Sequence, residues 1–214
     1  MFHAFFDFET LNGLESCLQF WDHATYIFKP KKIIVEFHND QLASEQIRKY
    51  LAISLQKEYH QISIRRGTVD SEYLDYLMEN VNLNSKLLIG AHITPNRHPN
   101  AFKFRSFEYL DAHWVTLDNL KSIQNRCSVT SANTRFTCED INDFIHFWIN
   151  SENDLIERLK ITLANGVVLD TEITLRGIPN IKSERLIPSA FFFMGNENQK
   201  KKFSIGTLVL DYES

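Results

Sequence analysis

The sequence has little of what marks a secreted, fibrous or disordered protein. Its 214 residues include only seven glycines, five prolines and three cysteines. So few glycines and prolines exclude a collagen-like chain and a low-complexity disordered one. The three cysteines, Cys17, Cys127 and Cys138, are an odd number without the spacing of metal ligands, so they do not form a disulfide framework. We therefore expect a reducing compartment, either cytoplasmic or nuclear.

Long apolar runs and a basic surplus are also missing. Uninterrupted apolar runs such as Ala190 to Met194 fall far short of the roughly 20 residues that span a membrane. The N-terminus is interrupted by His3 and Asp7 and has no basic segment, so it does not resemble a signal peptide. The net charge is −4, whereas nucleic-acid-binding domains normally carry a basic surplus. We expect neither a membrane nor a nucleic acid as partner.

What the sequence does contain is the composition of a folded domain and a recurring strand-and-helix pattern. Hydrophobic residues make up 43% and charged residues 23%, and this length favours one domain over residues 1–214. An apolar stripe predicts a helix over residues 10–28. Further helical patterns carry Ile47, Leu51 and Leu55, and then Val69 to Leu77. Short apolar segments predict strands over residues 32–37, 61–64, 86–89, 113–117 and 158–163, and another strand around Val129.

The spacing of these strands favours a repeat architecture over residues 32–163. Ile33, Ile62, Leu88 and Val115 mark strands at intervals of 29, 26 and 27 residues. One strand–helix unit cannot bury its apolar face alone, whereas stacked units share a continuous core. We therefore predict an α/β fold of the leucine-rich-repeat-like solenoid type, built from degenerate strand–helix units. A doubly wound α/β domain is the alternative, although no glycine-rich strand-to-helix turn supports it.

The C-terminal part of the chain is richer in strand patterns. Residues 167–178 look strand-like, and residues 191–194 and 203–210 predict two further strands joined by a polar loop. Because the open end of a solenoid needs covering, we expect residues 167–210 to form a β-rich C-terminal cap.

The most specific segment lies at residues 136–150. Thr137 and Asp140 have the spacing of a helix capping box, with negative charge at the helix N-terminus. Apolar residues then recur with helical spacing, at Ile141, Phe144, Ile145 and Trp148, and predict one buried face. We interpret this face as core, because such a stripe is more often structural than a binding site.

This helix also resembles the signature of the type 2 F-box-associated domain found in nematode-type F-box proteins. The family pattern Asp-(Ile/Leu)-Asn-x-Phe-(Ile/Leu)-x-x-Trp-Ile is met from Asp140 to Ile149 and is followed by a matching Leu159. Residues 18–28 are similar to the Trp-x-x-His helix that precedes the associated domain in that family. Residues 172–178 resemble its later (Ile/Leu)-x-Gly-Ile strand. Together the similarities extend over roughly residues 15–180.

The resemblance implies a non-catalytic protein–protein interaction module, the substrate-recruiting part of an F-box ubiquitin-ligase adaptor. The F-box itself, which docks the linker protein of a cullin ligase, has no counterpart in residues 1–17. From this we expect no binding to that linker protein. A stand-alone regulator or decoy is therefore an alternative to a ligase adaptor.

Outward-facing side chains of the predicted strands are the candidate partner-binding residues. If the apolar residues of each strand point inward, the polar ones between them point outward. The candidates are Glu36, His38, Gln61, Ser63, Arg65, Arg158 and Lys160. Such a mixed, charged surface suits specific recognition better than an obligate apolar interface.

Catalytic and cofactor sites have only weak support in the sequence. His92 and His98 lack the spacing and partners of metal ligands, so we expect no metal. No glycine-rich phosphate loop is present, and we expect no cofactor. A thiol site at Cys127 or Cys138, or an acid–base pair of Asp170 and Glu172 on one strand face, would make the chain a small α/β hydrolase or transferase. We regard this enzyme interpretation as the weaker one.

Overall fold

The structure is a computed structural model. It describes residues 19–20, 22–24, 26–29, 32–37, 52, 59–93, 98–124, 126–152, 155–164, 169–178, 180–182, 190–194 and 205–210. The described residues between 19 and 28 are helical, in agreement with the helix predicted there. The helix predicted around Ile47, Leu51 and Leu55 lies outside the described residues, apart from helical Ala52.

Most of the strands in the described residues belong to one mixed sheet. The strands are β1 (Ile34–Phe37), β2 (Gln61–Ile64), β3 (Thr68–Val69), β4 (Lys86–Ile89), β5 (His92–Ile93), β6 (Ser106–Tyr109), β7 (Arg126–Thr134), β8 (Ile156–Leu163), β9 (Asn180–Lys182), β10 (Ala190–Met194) and β11 (Ile205–Leu210). The large sheet has nine of them, in the order β1-β2-β4-β6-β7-β8-β11-β10-β9, and β3 pairs with β5 in a separate two-stranded sheet.

The large sheet is mostly parallel. From β1 to β8 its strands follow each other in chain order, and every neighbouring pair is parallel. β11 continues the parallel arrangement beside β8, whereas β10 and β9 are antiparallel to their neighbours. The predicted α/β class is therefore confirmed, and the structure adds that its large sheet is mostly parallel.

Four helices begin at side chains that accept hydrogen bonds from their first turn. They are α1 (Ser71–Asn80), α2 (Leu117–Lys121), α3 (Cys138–Asn150) and α4 (Thr171–Thr174). In α3 the predicted capping box is present: the hydroxyl of Thr137 accepts from the amide of Asp140, whose carboxylate accepts from the amide of Thr137. These contacts satisfy amide groups that the helix itself leaves unpaired, which fixes where α3 starts.

Two ladder rows of the sheet supply one wall of the core. Each row joins directly paired residues of successive strands, and all its members are buried. The first row is Val35, Ile62, Leu87, Phe107, Val129 and Leu159, and the second is Phe37, Ile64, Ile89, Tyr109, Ser131 and Ile161. Apolar residues of both rows pack into the same cluster as the buried faces of α1 and α3. The inward orientation predicted for β1, β2 and β8 is thus confirmed.

The strand predicted at residues 113–117 is wrong. His113 and Trp114 lie in a turn, Thr116 caps α2, and the strand at this place in the sheet is Ser106–Tyr109. Trp114 and Val115 are buried in the core, and the Trp114 ring centroid lies 5.2 Å from that of Tyr109. The apolar run at Trp114 and Val115 therefore reflects burial beside α2 and not a strand of the sheet.

The strand-like interpretation of residues 167–178 is also wrong for the part that is described. Asp170 accepts hydrogen bonds from the amides of Glu172 and Ile173, which starts the short helix α4. The turn that follows ends at Gly177, whose φ of +72° is favourable for glycine and costly for other residues. Asp170 and Glu172 were predicted to share a strand face, but Asp170 caps α4 and Glu172 lies in its first turn.

Other predictions need smaller corrections. Val69 lies in β3 and not in the helix that follows, because α1 begins after the capping residue Asp70. Trp148 is half-buried, packed against the core from outside, whereas Phe144 is fully buried as predicted. The strands predicted near residues 191–194 and 203–210 are confirmed as β10 and β11, and they extend the main sheet beside β8.

Candidate binding surface

The face of the sheet opposite the core carries two further ladder rows, which we call the outer face. One row runs through Ile34, Gln61, Lys86, Ser106, Ser128 and Arg158, and the other through Glu36, Ser63, Leu88, Glu108, Thr130 and Lys160. These residues alternate along each strand with the buried core rows, so the pleat directs them to the other side. Leu88 is buried there but does not belong to the core cluster.

Ion pairs organise the charges of the outer face. The Arg65 Nε atom lies 2.7 Å from a Glu36 carboxylate oxygen, joining β1 to the end of β2. Lys86 Nζ lies 3.1 Å from a Glu108 carboxylate oxygen, joining β4 to β6. Both pairs are partly exposed, so each contributes little to stability, and their main effect is to hold the side chains in place across neighbouring strands.

The predicted partner-binding residues divide into three groups. Glu36, Arg65, Arg158 and Lys160 lie on the outer face with exposed or half-buried side chains. Gln61 and Ser63 are on the same face but are buried, at 6% and 0% exposure, and the Gln61 side-chain amide donates to the Ser63 hydroxyl over 2.8 Å. They are therefore not part of the accessible surface. His38 lies outside the described residues.

Two polar residues of this surface were not predicted. Lys86 was predicted in a strand but not as a surface residue, and Glu108 lies in β6, the strand that was misplaced. The alternation of polar and apolar residues in Ser106-Phe-Glu-Tyr109 is the signal that could have found it. With these additions, charged side chains of the outer face lie on β1, β4, β6 and β8 and, with Arg65, just after β2.

The family-like motif in α3 has a structural role in this molecule. The side-chain amide of Asn142 donates to the backbone carbonyls of Thr174 and Arg176, at 3.0 and 3.1 Å. His146 Nε2 lies 3.1 Å from the same Arg176 carbonyl, and its ring packs 3.6 Å from where a Cβ on Gly177 would stand. Asn142 and His146 of this motif therefore tie α3 to the turn after α4.

A polar cluster at the carboxyl ends of the strands was not predicted. The carboxylate oxygens of Asp111 lie 2.6 Å from His92 Nδ1 and 2.9 Å from His113 Nδ1. They also accept a hydrogen bond from the side-chain amide of Asn133 over 3.0 Å. The two imidazole rings are stacked, 5.8 Å apart. Asn133 has a φ of +54°, a left-handed conformation that asparagine adopts more readily than most residues, at a register shift in β7.

The electrostatics of this cluster favour a charged carboxylate. Burial raises the pKa of Asp111. The hydrogen bonds from His113, His92 and Asn133 lower the pKa by more than burial raises it, so the pKa of Asp111 lies below its ordinary value. A carboxylate that accepts three hydrogen bonds orients its partners and holds β5, the turn after β6 and the end of β7 together. Sequence could not reveal the cluster, because its members come from three separate strand ends.

Other candidate groups are accounted for by local structure. Cys138 is buried, and its sulfur lies 3.3 Å from the Asp170 amide, which donates to it. His98 is an acceptor for the Asn100 amide in a turn. Within the described ranges no group of three or more His, Cys, Asp or Glu side chains is placed to hold a metal ion. The helices among those residues are all too short or too polar to cross a membrane.

Comparison with known proteins agrees with the resemblance seen in α3. Residues 98–161 match the protein-family model described as F-box associated, which confirms the predicted resemblance over that segment. The chain is 28% identical over 144 residues to the Skn-1 dependent zygotic transcript 15 protein of Caenorhabditis elegans. That alignment covers 63% of this chain and 41% of the worm protein, so the chain spans less than half of that relative. No solved structure matches it.

Proposed function

We propose that this chain, whose residues 98–161 match the F-box-associated family, is a non-catalytic module that binds a partner protein through its outer face. The family match carries the proposal, because a domain of this kind resembles the partner-recruiting half of an F-box protein. The matched segment contains β6, β7 and most of β8, and therefore a large part of the outer face.

The order of the strands supports the finer architectural proposal of a leucine-rich-repeat-like solenoid. Between β1 and β8 each strand of the large sheet pairs in parallel with the strand of that sheet that follows it in the chain, whereas β3 and β5 pair with each other in the small sheet. A doubly wound domain would reverse its strand order at a switch point, whereas stacked repeats advance in one direction. Successive members of the first core row lie 20 to 30 residues apart in the sequence. The shortest interval is from Leu87 to Phe107 and the longest is from Val129 to Leu159. This range is wider than the predicted intervals of 26 to 29 residues and supports repeats of unequal length.

The chemistry of the outer face supports recognition of a separate, soluble partner. Charged and hydroxyl side chains dominate its accessible part, with Leu88 buried between them. Interfaces that assemble and dissociate are polar at their periphery, whereas obligate interfaces resemble a hydrophobic core. We therefore propose a reversible complex in the cytoplasm or nucleus.

The proposal has two forms, a substrate receptor of a ubiquitin ligase and a stand-alone regulator or decoy. They differ in what else joins the complex. Co-purification of a cullin linker protein together with the partner, using the full-length native protein, identifies the receptor. A complex that contains the partner but lacks the linker protein identifies the regulator.

A comparative affinity purification tests the role of the outer face. The variant is Arg158→Glu with Lys160→Glu, because Arg65 is engaged with Glu36 and its reversal would also disturb that ion pair. The matched control is Arg135→Glu with Arg176→Glu, which makes the same change in charge at exposed positions outside the outer face. Wild type and control should capture the same proteins from nematode tissue, and the outer-face variant should lose one or more of them.

The melting temperature separates loss of binding from loss of folding. All three proteins should melt within about 2 °C of each other, since exposed substitutions usually change stability by less than about 0.5 kcal/mol. If the outer-face variant captures the same proteins as wild type in equal amounts, the outer face is not the binding surface and the proposal is wrong.

A further inference from the structure

We infer that this chain forms a symmetric dimer in which β1 pairs antiparallel with β1 of a second copy, with Ile34 opposite Ile34. The contact joins the two large sheets edge to edge. It goes beyond the proposed function and does not depend on what the outer face binds. Its basis is the exposed edge of β1 and the order of the side chains along that strand.

β1 is an edge strand of the large sheet. Among the strands of the described residues it pairs with β2 alone. The carbonyls of Ile33 and Phe37 accept hydrogen bonds from amides just before and just after β2. Because the direction of the backbone groups alternates along a strand, the N–H and C=O groups of Ile34 and Glu36 point away from β2. A row of such groups is a template for pairing with another strand.

The side chain of Ile34 gives this edge an apolar contact. Ile34 is 39% exposed on the outer face, whereas its neighbour Val35 is buried in the core. An exposed edge strand that carries a large apolar side chain favours association with another strand. Pairing with a second copy would cover Ile34 and satisfy the backbone groups of the edge together.

Ile34 decides the register of the pairing. When Ile34 lies opposite Ile34, the two apolar side chains contact each other on one face of the joined sheet. Both residues direct their backbone groups away from β2, so the opposed pair exchanges its N–H···O=C hydrogen bonds. The next registers that keep this backbone match place Ile34 opposite Glu36 or opposite Lys32. Each of them leaves the apolar side chain against a charge, so the register centred on Ile34 is favoured.

The charges on either side of Ile34 fit the same register. Lys32 of each copy lies opposite Glu36 of the other, and both residues are exposed. Glu36 keeps its ion pair with Arg65, and Lys32 of the second copy adds a cation beside the same carboxylate. Opposite charges across an exposed edge contribute little to affinity, so they support the register while the backbone and Ile34 supply the binding energy. Because the contact is short, we expect a dimer that dissociates at micromolar concentrations.

The dimer would present two copies of the outer face on one side of a continuous sheet. Directly opposed residues of an antiparallel pair point to the same face, so the outer rows that reach Ile34 and Glu36 in one copy continue into the other. A symmetric contact of this kind uses the same surface in both copies and therefore closes at two.

Disulfide trapping in the full chain tests the pairing and its register. Ile34→Cys should link two copies in a glutathione redox buffer, because directly opposed residues have Cα atoms about 5.5 Å apart, within the range of a disulfide. Lys32→Cys alone and Glu36→Cys alone should each give at least about tenfold less linked dimer, because identical residues at these positions lie roughly 14 Å apart. A mixture of the Lys32→Cys and Glu36→Cys chains should link. Wild type measures any linkage by the native cysteines.

Sedimentation equilibrium measures the dimer without a crosslink. Between about 1 and 200 µM the mass of wild type should rise from 25.1 kDa toward twice that value. Ile34→Pro removes an N–H group that points to the second copy and none that pairs with β2, so it should weaken the dimer at least about tenfold. The matched control Ile34→Val keeps the N–H group and a β-branched apolar side chain, and should dimerise within about threefold of wild type.

A monomeric mass of wild type at every concentration would overturn the inference. Equal linkage of Ile34→Cys and Lys32→Cys would overturn it as well, because the register would then be wrong. A mass that grows beyond the dimer, without linkage at position 34, would also overturn it in favour of an open head-to-tail assembly. A concentration-dependent dimer that links at position 34 supports it.

Discussion

Replacement of Asn142 tests the structural role of the motif in α3. Its side-chain amide donates to the carbonyls of Thr174 and Arg176, and Asn142→Ala removes both hydrogen bonds. A hydrogen bond of this kind contributes about 0.5–1.5 kcal/mol, and the bond to Arg176 is exposed, so water replaces part of its loss. We expect a loss of about 1–2 kcal/mol in the free energy of unfolding.

A second substitution at this position sharpens the test. Asn142→Asp keeps the shape of the side chain but replaces two donors with a carboxylate that faces two carbonyl oxygens. It should therefore be more destabilising than Asn142→Ala at neutral pH. A matched control is Asn150→Ala on the same helix, which removes one exposed hydrogen bond to the His146 carbonyl and should cost less than about 0.5 kcal/mol.

Urea unfolding and thermal unfolding, both followed by circular dichroism, measure the free energies of unfolding and the melting temperatures of all three variants. Since about 1 kcal/mol corresponds to roughly 2–4 °C in a domain of 150–250 residues, Asn142→Ala should melt about 2–8 °C below wild type. Asn142→Asp should melt lower still, and Asn150→Ala close to wild type. If Asn142→Asp is as stable as wild type, these hydrogen bonds do not secure the turn and our account of the motif is refuted.

Three further substitutions test the core, a backbone contact and the polar cluster. Phe144→Ala should cost roughly 3–5 kcal/mol in chemical unfolding because Phe144 is fully buried, and half-buried Trp148→Ala should cost less; equal losses would contradict the burial of the two rings. Gly90→Ala should lower the melting temperature, because its Cβ would stand 2.9 Å from the Arg65 carbonyl oxygen; an unchanged melting temperature would show that the strand ends shift freely. The pKa of Asp111 is lowered on folding, so its contribution is complete above its ordinary value of 3.8 and is lost as the pH falls through the folded value. Asp111→Asn should therefore flatten the acid dependence of stability below about pH 4, and an identical pH profile would argue against that contribution.

The parts of the fold that local sequence determines were predicted well. In α3 the capping residues and the apolar stripe lie within fifteen residues, so pattern and structure agree at Thr137, Asp140 and Phe144. Strand alternation likewise placed Ile62, Ile64, Leu159 and Ile161 on the core side, because the pleat fixes which residues share a face.

The parts that depend on contacts between distant residues were not predicted. Gln61 and Ser63 were correctly placed on the outer face, but their burial depends on what surrounds them in the folded sheet. The apolar run at Trp114 was misread as a strand because an aromatic cluster buries it in a turn. The hydrogen bonds around Asp111 join loops that are far apart in the sequence, and no local pattern encodes such a convergence.

Lysine acetylation footprinting of the partner complex tests the central claim most directly. Lys86 and Lys160 lie on the outer face, whereas Lys121 lies in α2, beside the Phe147 ring of α3. Free and partner-bound chains are acetylated briefly and the modification of each lysine is measured by mass spectrometry. Our account predicts that the partner protects Lys86 and Lys160 several-fold and leaves Lys121 unchanged. Protection of Lys121 with unchanged modification of Lys86 and Lys160 would place the partner on the helices and contradict it.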